Sequence, residues 1–230
     1  MGNNKIIPRL YCKTKGEITT QVTLSLSASE HKSIIRLTGG CGKMSSEDGE
    51  NLINTFVDAF AGYRGSLLFG GTRMIDKMDD SIVMGITEVA PAIKKKNPHV
   101  CLGGVIPKSD MLQISDKGLI VSNNDNEPYF TICHPNQDLV LLVQLRVDPP
   151  HKREMALIDS QLASSIWDLE VYECFQMVND LHENVNYKPL LISYNGGNVT
   201  RKEIMIWSKS SLPVLLIKGS GRVTDETYTG

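Results

Sequence analysis

One pattern recurs along most of this chain, and it leaves few folds open. A short apolar run ends in glycines, an amphipathic stretch usually follows, and the cycle begins again. The first unit is Ser33-Ile34-Ile35-Arg36-Leu37, then Thr38-Gly39-Gly40-Cys41-Gly42, then a helix from about Ser46 with Leu52, Ile53, Phe56, Val57 and Phe60 on one face. The second is Ser66-Leu67-Leu68-Phe69, then Gly70-Gly71-Thr72-Arg73. A helix carrying Ile82, Ile86, Val89 and Ile93 is expected next, closing on Lys94-Lys95-Lys96, where positive charge suits the negative helix end. The third unit is Val100-Cys101-Leu102-Gly103-Gly104-Val105-Ile106-Pro107.

Residues 108–137 are polar and read as a loop that holds a hairpin at most. Residues 139–145 form a continuous apolar strand of the kind buried on both faces, broken by Pro149-Pro150. Residues 153–184 read as helical, with an interruption near Ser164-Ser165. A strand at 189–192, Gly196-Gly197, a helix at 200–207 and a last strand at 213–217 complete the series. Strands alternating with helices imply an α/β, Rossmann-like parallel sheet with right-handed crossovers and helices on both faces. Residues 1–32 read as a separate N-terminal β extension, because residues 18–26, ITTQVTLSL, are rich in β-branched side chains. The nucleotide-binding domain then spans 33–230.

In such a sheet the glycine loops lie at the carboxyl ends of the strands, where ligands bind beside the point at which strand order reverses. A glycine lets backbone N–H groups approach a phosphate, and a helix start adds partial positive charge. Thr38-Gly39-Gly40, Gly71-Thr72-Arg73 and Gly219-Ser220-Gly221-Arg222 all fit that use, with Arg73 and Arg222 able to make bidentate phosphate contacts. A bare Gly-Gly after a strand is by itself only a tight turn. Convergence of three such loops on one sheet edge is what points to a ligand.

Composition removes several other classes. A net charge of −2 gives no broad basic surface for nucleic acid. Five dispersed cysteines without a CxxC pair argue against a disulfide framework or zinc site, and place the chain in a reducing compartment, by default the cytoplasm. No apolar run is long enough for a membrane span, and no signal h-region opens the chain. GxGxxG at the first strand, GxxxxGK[ST] and GxSxG are all missing, which disfavours a dehydrogenase, a P-loop NTPase and an α/β-hydrolase. Cys41 at a helix entry reads as a small buried thiol. No catalytic residue, metal or cofactor is assigned.

Taken together, Arg36-Leu37-Thr38-Gly39-Gly40, Leu67-Leu68-Phe69-Gly70-Gly71-Thr72 and Leu102-Gly103-Gly104-Val105-Ile106-Pro107 resemble segments of the SLOG superfamily, in particular its LSDAT branch. The nearest likeness is Ser193-Tyr194-Asn195-Gly196-Gly197 followed by Gly219-Ser220-Gly221-Arg222-Val223-Thr224-Asp225. That branch includes the amino-terminal domain of melastatin-type TRP channels and prokaryotic antiphage sensors. The resemblance implies a Rossmann-like domain that binds ADP-ribose, its cyclic isomers or related NAD products. It implies that Thr38, Gly39, Gly40, Gly71, Thr72, Gly219, Ser220, Gly221 and Arg222 line the ligand. One segment departs from it: where relatives carry a glycine turn after the fourth strand, this chain has Gln144-Leu145-Arg146-Val147-Asp148-Pro149-Pro150. Hydrolytic relatives need that turn with a nearby glutamate, a place Glu170 matches.

Three functional readings follow. The first is a homo-oligomeric sensor of an ADP-ribose-type signal, controlling an effector segment or partner, with a TIR-type enzyme making the signal from NAD. The chain's stop soon after Arg222 leaves room for that effector elsewhere. The second is a phosphoribohydrolase acting on nucleoside monophosphates, and the third an assembly module with a vestigial pocket.

Overall fold

The computed structural model describes residues 9–11, 31–40, 45–107, 113–115, 118–123, 125–143 and 166–229. In chain order these hold β1 (Arg9–Tyr11), β2 (Ser33–Gly39), α1 (Ser46–Ala59), β3 (Ser66–Phe69), β4 (Thr72–Asp76), α2 (Ile86–Lys96), β5 (Cys101–Pro107), β6 (Gln113–Ser115), β7 (Gly118–Ser122) and β8 (Tyr129–Cys133). Then come β9 (Leu139–Val143), α3 (Ile166–Val185), β10 (Lys188–Tyr194), α4 (Asn198–Lys209), β11 (Val214–Leu216) and α5 (Arg222–Thr229).

Seven strands form one sheet in the order β1-β9-β5-β3-β2-β10-β11, every pair parallel. From β2 the chain steps outward through β3 and β5 to β9, then returns to place β10 and β11 on the other side of β2. Strand order therefore reverses between β2 and β10, which run in register from Ser33 opposite Lys188 to Gly39 opposite Tyr194. The Rossmann-like α/β architecture expected from the alternating pattern is what the chain adopts.

Two cores explain why helices cover both faces. On one side Val171, Cys174, Phe175 and Val178 of α3 and Ile204 and Trp207 of α4 pack on Ile34, Leu68, Val105 and Leu191. On the other, Leu52 and Phe56 of α1 and Val89 and Ile93 of α2 pack on Leu37, Leu67, Phe69 and Leu102. Neighbouring residues of one strand, Leu67 and Leu68, thus go to opposite cores, and all four residues of β3 are buried. That accounts for its unbroken apolar run. Helix α1 starts where Ser45 Oγ accepts the Asp48 N–H at 3.0 Å.

The structure corrects two sequence expectations. No helix follows Gly70-Gly71. Gly71 adopts φ +66, and the chain enters β4, which pairs antiparallel with β8 in a second sheet of order β4-β8-β7-β6. Ile82 lies outside the expected helix, bridging Ile75. Its spacing to Ile86 imitated a helix, but Gly85 stands between them, and α2 begins only after it. Likewise the polar stretch 108–137, expected as a loop with a hairpin, holds the antiparallel pair β6–β7 and adds a third strand, β8, to that second sheet. Of the expected strand at 139–145, residues 139–143 are β9. Residues 18–26, Cys41, Pro149-Pro150 and Ser164-Ser165 fall outside the described residues. Arg9–Tyr11 is the edge strand beside β9.

Candidate ligand-binding crevice

Strand order reverses between β2 and β10, and in α/β sheets ligands enter at the carboxyl ends of the strands beside such a point. The strands lie so close there that a Cβ on Gly39 would stand 2.1 Å from the Tyr194 carbonyl oxygen. Past Tyr194 the backbone turns sharply through Asn195 (φ 59) and Gly196 (φ 104) into α4. The α4 N-cap is Gly197, which offers no capping side chain, and the first turn carries no acid. Its N–H groups and the positive end of the helix dipole therefore face the crevice uncompensated by a side chain.

Arg222 completes this place. A Cβ on Gly40 would lie 3.2 Å from its Nη1, and a Cβ on Gly197 would lie 3.0 Å from its Nη2. The guanidinium thus spans the gap between the two glycines, over the start of α4. Arg222 has no carboxylate partner among the described residues. A fork of N–H donors over a helix start is the arrangement that holds a phosphate or another oxyanion.

The loop that carries Arg222 works differently from the sequence expectation. Gly219 N–H donates to Asp225 Oδ1 at 2.8 Å, and Gly221 N–H to Asp225 Oδ2 at 2.9 Å. The anion nest of this loop is filled by the chain's own carboxylate. What the loop provides is a left-handed turn, with φ of 79, 90 and 51 at Gly219, Gly221 and Arg222, which aims the arginine. Ser220 Oγ accepts the Asn195 N–H at 2.9 Å, and Thr224 Oγ1 donates to the Asn195 carbonyl oxygen. Both contacts tie the loop to the end of β10. Thr38 is buried on β2 opposite Ser193, whose hydroxyl lies 2.8 Å from Thr224 Oγ1.

The second glycine loop leads to a separate cluster. Packing already accounts for Gly71, because a Cβ there would come within 2.9 Å of Gly104 Cα. Thr72 is buried in β4, opposite Cys133. Arg73 does not point at an open site: its Nε and Nη2 donate to the two oxygens of Glu88 at 2.9 and 2.6 Å, and Nη2 lies 2.9 Å from His134 Nε2. Burial pushes the His134 pKa down. Burial alone would raise that of Glu88, but hydrogen bonds from His134 and Arg73 hold it below its ordinary value.

Glu170 lies in a third, fully buried group rather than in the crevice. Arg36 Nη2 donates to Glu170 Oε1 and Arg36 Nε to Glu203 Oε1, both at 2.8 Å, with all three side chains almost completely enclosed. Burial pushes Glu170 up to about 7, against the opposing pull of Arg36. Beside it burial raises the Cys174 thiol to about 12.

The three glycine loops were thus a good guide to the sheet edge and a poor guide to roles. Reading them alone missed Glu88, His134 and the capping role of Asp225. The last had a signal, an aspartate three residues after the arginine at a helix start. Among the described residues no helix is long and apolar enough to cross a membrane, and no cluster of metal-ligating side chains occurs.

No family model matches the chain, and no curated protein does. Solved structures similar to it include the structural-genomics target TM1055, at 14% identity and TM-score 0.49, covering 86% of this chain and 81% of that one. The molybdenum cofactor carrier protein of Chlamydomonas reinhardtii is similar at 16% identity and TM-score 0.44, covering 86% and 83%. The molybdenum cofactor binding protein of the phototrophic bacterium Rippkaea orientalis follows at 15% and 0.34, covering 84% and 93%. Likeness of this degree carries no functional argument.

Proposed function

We propose that this chain binds a phosphate-bearing nucleotide of the ADP-ribose class at the β2–β10 crevice and acts as a sensor. One observation carries the reading: the Arg222 guanidinium overhangs Gly40 and the uncapped start of α4, at the reversal of strand order. These groups provide positive charge and N–H donors, while the Asp225 and Glu226 carboxylates on α5 are engaged by the Gly219 and Gly221 N–H groups and by Arg201. The resemblance of the glycine loops to SLOG segments supports a product of NAD as the signal. On this reading a second domain or partner of the homo-oligomer responds, as an antiphage effector would.

Glu170 does not strengthen the hydrolase alternative, because Arg36 holds it inside the core. The test is a thermal-shift panel over ribose 5-phosphate, AMP, NAD, ADP-ribose and cyclic ADP-ribose isomers. At a hundredfold excess over Kd, binding stabilises by about 2.7 kcal/mol, a readily measured shift. Absence of a shift with every phosphate compound refutes the proposal, and release of free base from AMP replaces it with the hydrolase.

A further inference from the structure

Beside the crevice lies a cavity of about 560 Å³ between α1 and the β10–β11 end of the sheet. Its volume is in the range of small-ligand pockets. The walls are aromatic and aliphatic: Phe56 from α1 and Phe60 at its C-cap, Tyr194 from β10, Leu215 from β11 and Ile217 just after it. Phe56 and Tyr194 meet edge to face with centroids 6.5 Å apart. Leu215 is 46% exposed, so the apolar space opens to solvent.

Its polar groups come from Asp48, Asn51, Thr55, Asn195 and Ser220, with the Thr55 hydroxyl donating to the Asn51 carbonyl oxygen and the Ser220 hydroxyl accepting the Asn195 N–H. Asp48 lies on the α1 side and uses Oδ2 for the Ser45 hydroxyl at 2.7 Å. Asn195 lies on the β10 side, where its Oδ1 is buried with no hydrogen-bond partner. Among the described residues no lysine, arginine or histidine lines the cavity. A carboxylate and an unpartnered amide oxygen both call for donors from a ligand. Asn195 and Ser220 also join this cavity to the phosphate place, since Asn195 directly precedes Gly196-Gly197 and Ser220 lies two residues before Arg222.

We infer that this cavity takes the flat base of the nucleotide, and that it selects a base with an exocyclic amine over an oxo base. The inference rests on the phosphate reading above. With the phosphate under Arg222, the base enters between Tyr194 and Leu215, stacks on the aromatic wall and offers its amine to Asp48 or Asn195.

Calorimetric titration of the whole chain with ribose 5-phosphate, AMP, IMP and adenosine tests it. Wild type binds AMP at least about tenfold tighter than ribose 5-phosphate and several-fold tighter than IMP. Leu215→Trp fills the mouth and lowers AMP affinity to that of ribose 5-phosphate, whose own binding is unchanged. Asp48→Asn narrows the difference between AMP and IMP. If Leu215→Trp melts early, Thr55→Phe fills the same space from the opposite wall. Equal affinity for AMP and ribose 5-phosphate in wild type overturns the inference, as does an AMP advantage that survives filling. Adenosine binding that filling abolishes, with no affinity for ribose 5-phosphate, keeps the base pocket and rejects the phosphate reading.

Discussion

Replacing Glu170 by glutamine should stabilise this protein at pH 8 and leave it nearly unchanged at pH 4. Arg36 holds two buried carboxylates, Glu170 and Glu203, so the ionised cluster carries one uncompensated negative charge in the core. Burial lifts Glu170 from its ordinary value of 4.5 to about 7. The folded chain therefore holds a proton on Glu170 between those pH values, where the unfolded chain has released it. Stability falls as pH rises through that window and stays low above it. Each unit of separation corresponds to about 1.4 kcal/mol, so the full loss is about 3 kcal/mol. Glutamine has the shape of the protonated acid and can still accept from Arg36 Nη2, but it does not ionise. The difference in unfolding free energy between variant and wild type should rise from near zero at pH 4 to about 3 kcal/mol at pH 8. In melting temperature that is roughly 6–12 °C for a chain of this size. Urea unfolding across pH 4 to 8 measures the difference directly, and carboxylates outside the Arg36 cluster cancel from it. A difference that stays flat with pH, or a variant less stable at pH 8, would show that Arg36 neutralises the cluster and that this charge accounting is wrong.

Other outcomes follow from the crevice. Arg222→Ala should weaken binding of ribose 5-phosphate or AMP by about ten- to a hundredfold with little change in melting, because the residue is exposed and lacks a described ion-pair partner. Asp225→Ala should weaken the same ligands and also destabilise by about 0.5–2 kcal/mol, since the Gly219 and Gly221 N–H groups at the start of α5 lose their acceptor; unchanged affinity by calorimetry would separate the loop from the site. Gly39→Ala should reduce soluble folded protein, as its Cβ would meet the Tyr194 carbonyl oxygen at 2.1 Å, whereas Gly40→Val should lose ligand with a smaller loss of stability, because its Cβ meets Arg222 Nη1 and the Gly196 backbone nitrogen at 3.2 Å. Circular dichroism melts beside titrations distinguish the two glycines.

The parallel sheet was legible because its causes are local. Strands buried on both faces must be apolar throughout, as Leu67-Leu68-Phe69 is, and a chain returning to the same sheet edge needs a helix between strands. The glycines at strand ends marked the edge where a ligand could sit, and Arg222 was found there. The second sheet was hidden because its strands are short, and β4 follows a glycine pair that reads like the others. Only Gly71 at positive φ sends the chain aside, in a conformation set by its contact with Gly104 and Ile106.

Sequence alone therefore determined the layers and the glycine-marked edge of the sheet. Tertiary structure decided the assignments within it. Arg73 and Arg222 follow similar glycine loops, yet one is enclosed by Glu88 and His134 and the other spans Gly40 and Gly197. Glu170 could be matched to a catalytic position by its place in the chain, until Arg36, 134 residues earlier, met it in the core. Such pairings depend on which distant residues the fold brings within hydrogen-bond reach, and neither periodicity nor composition contains that distance.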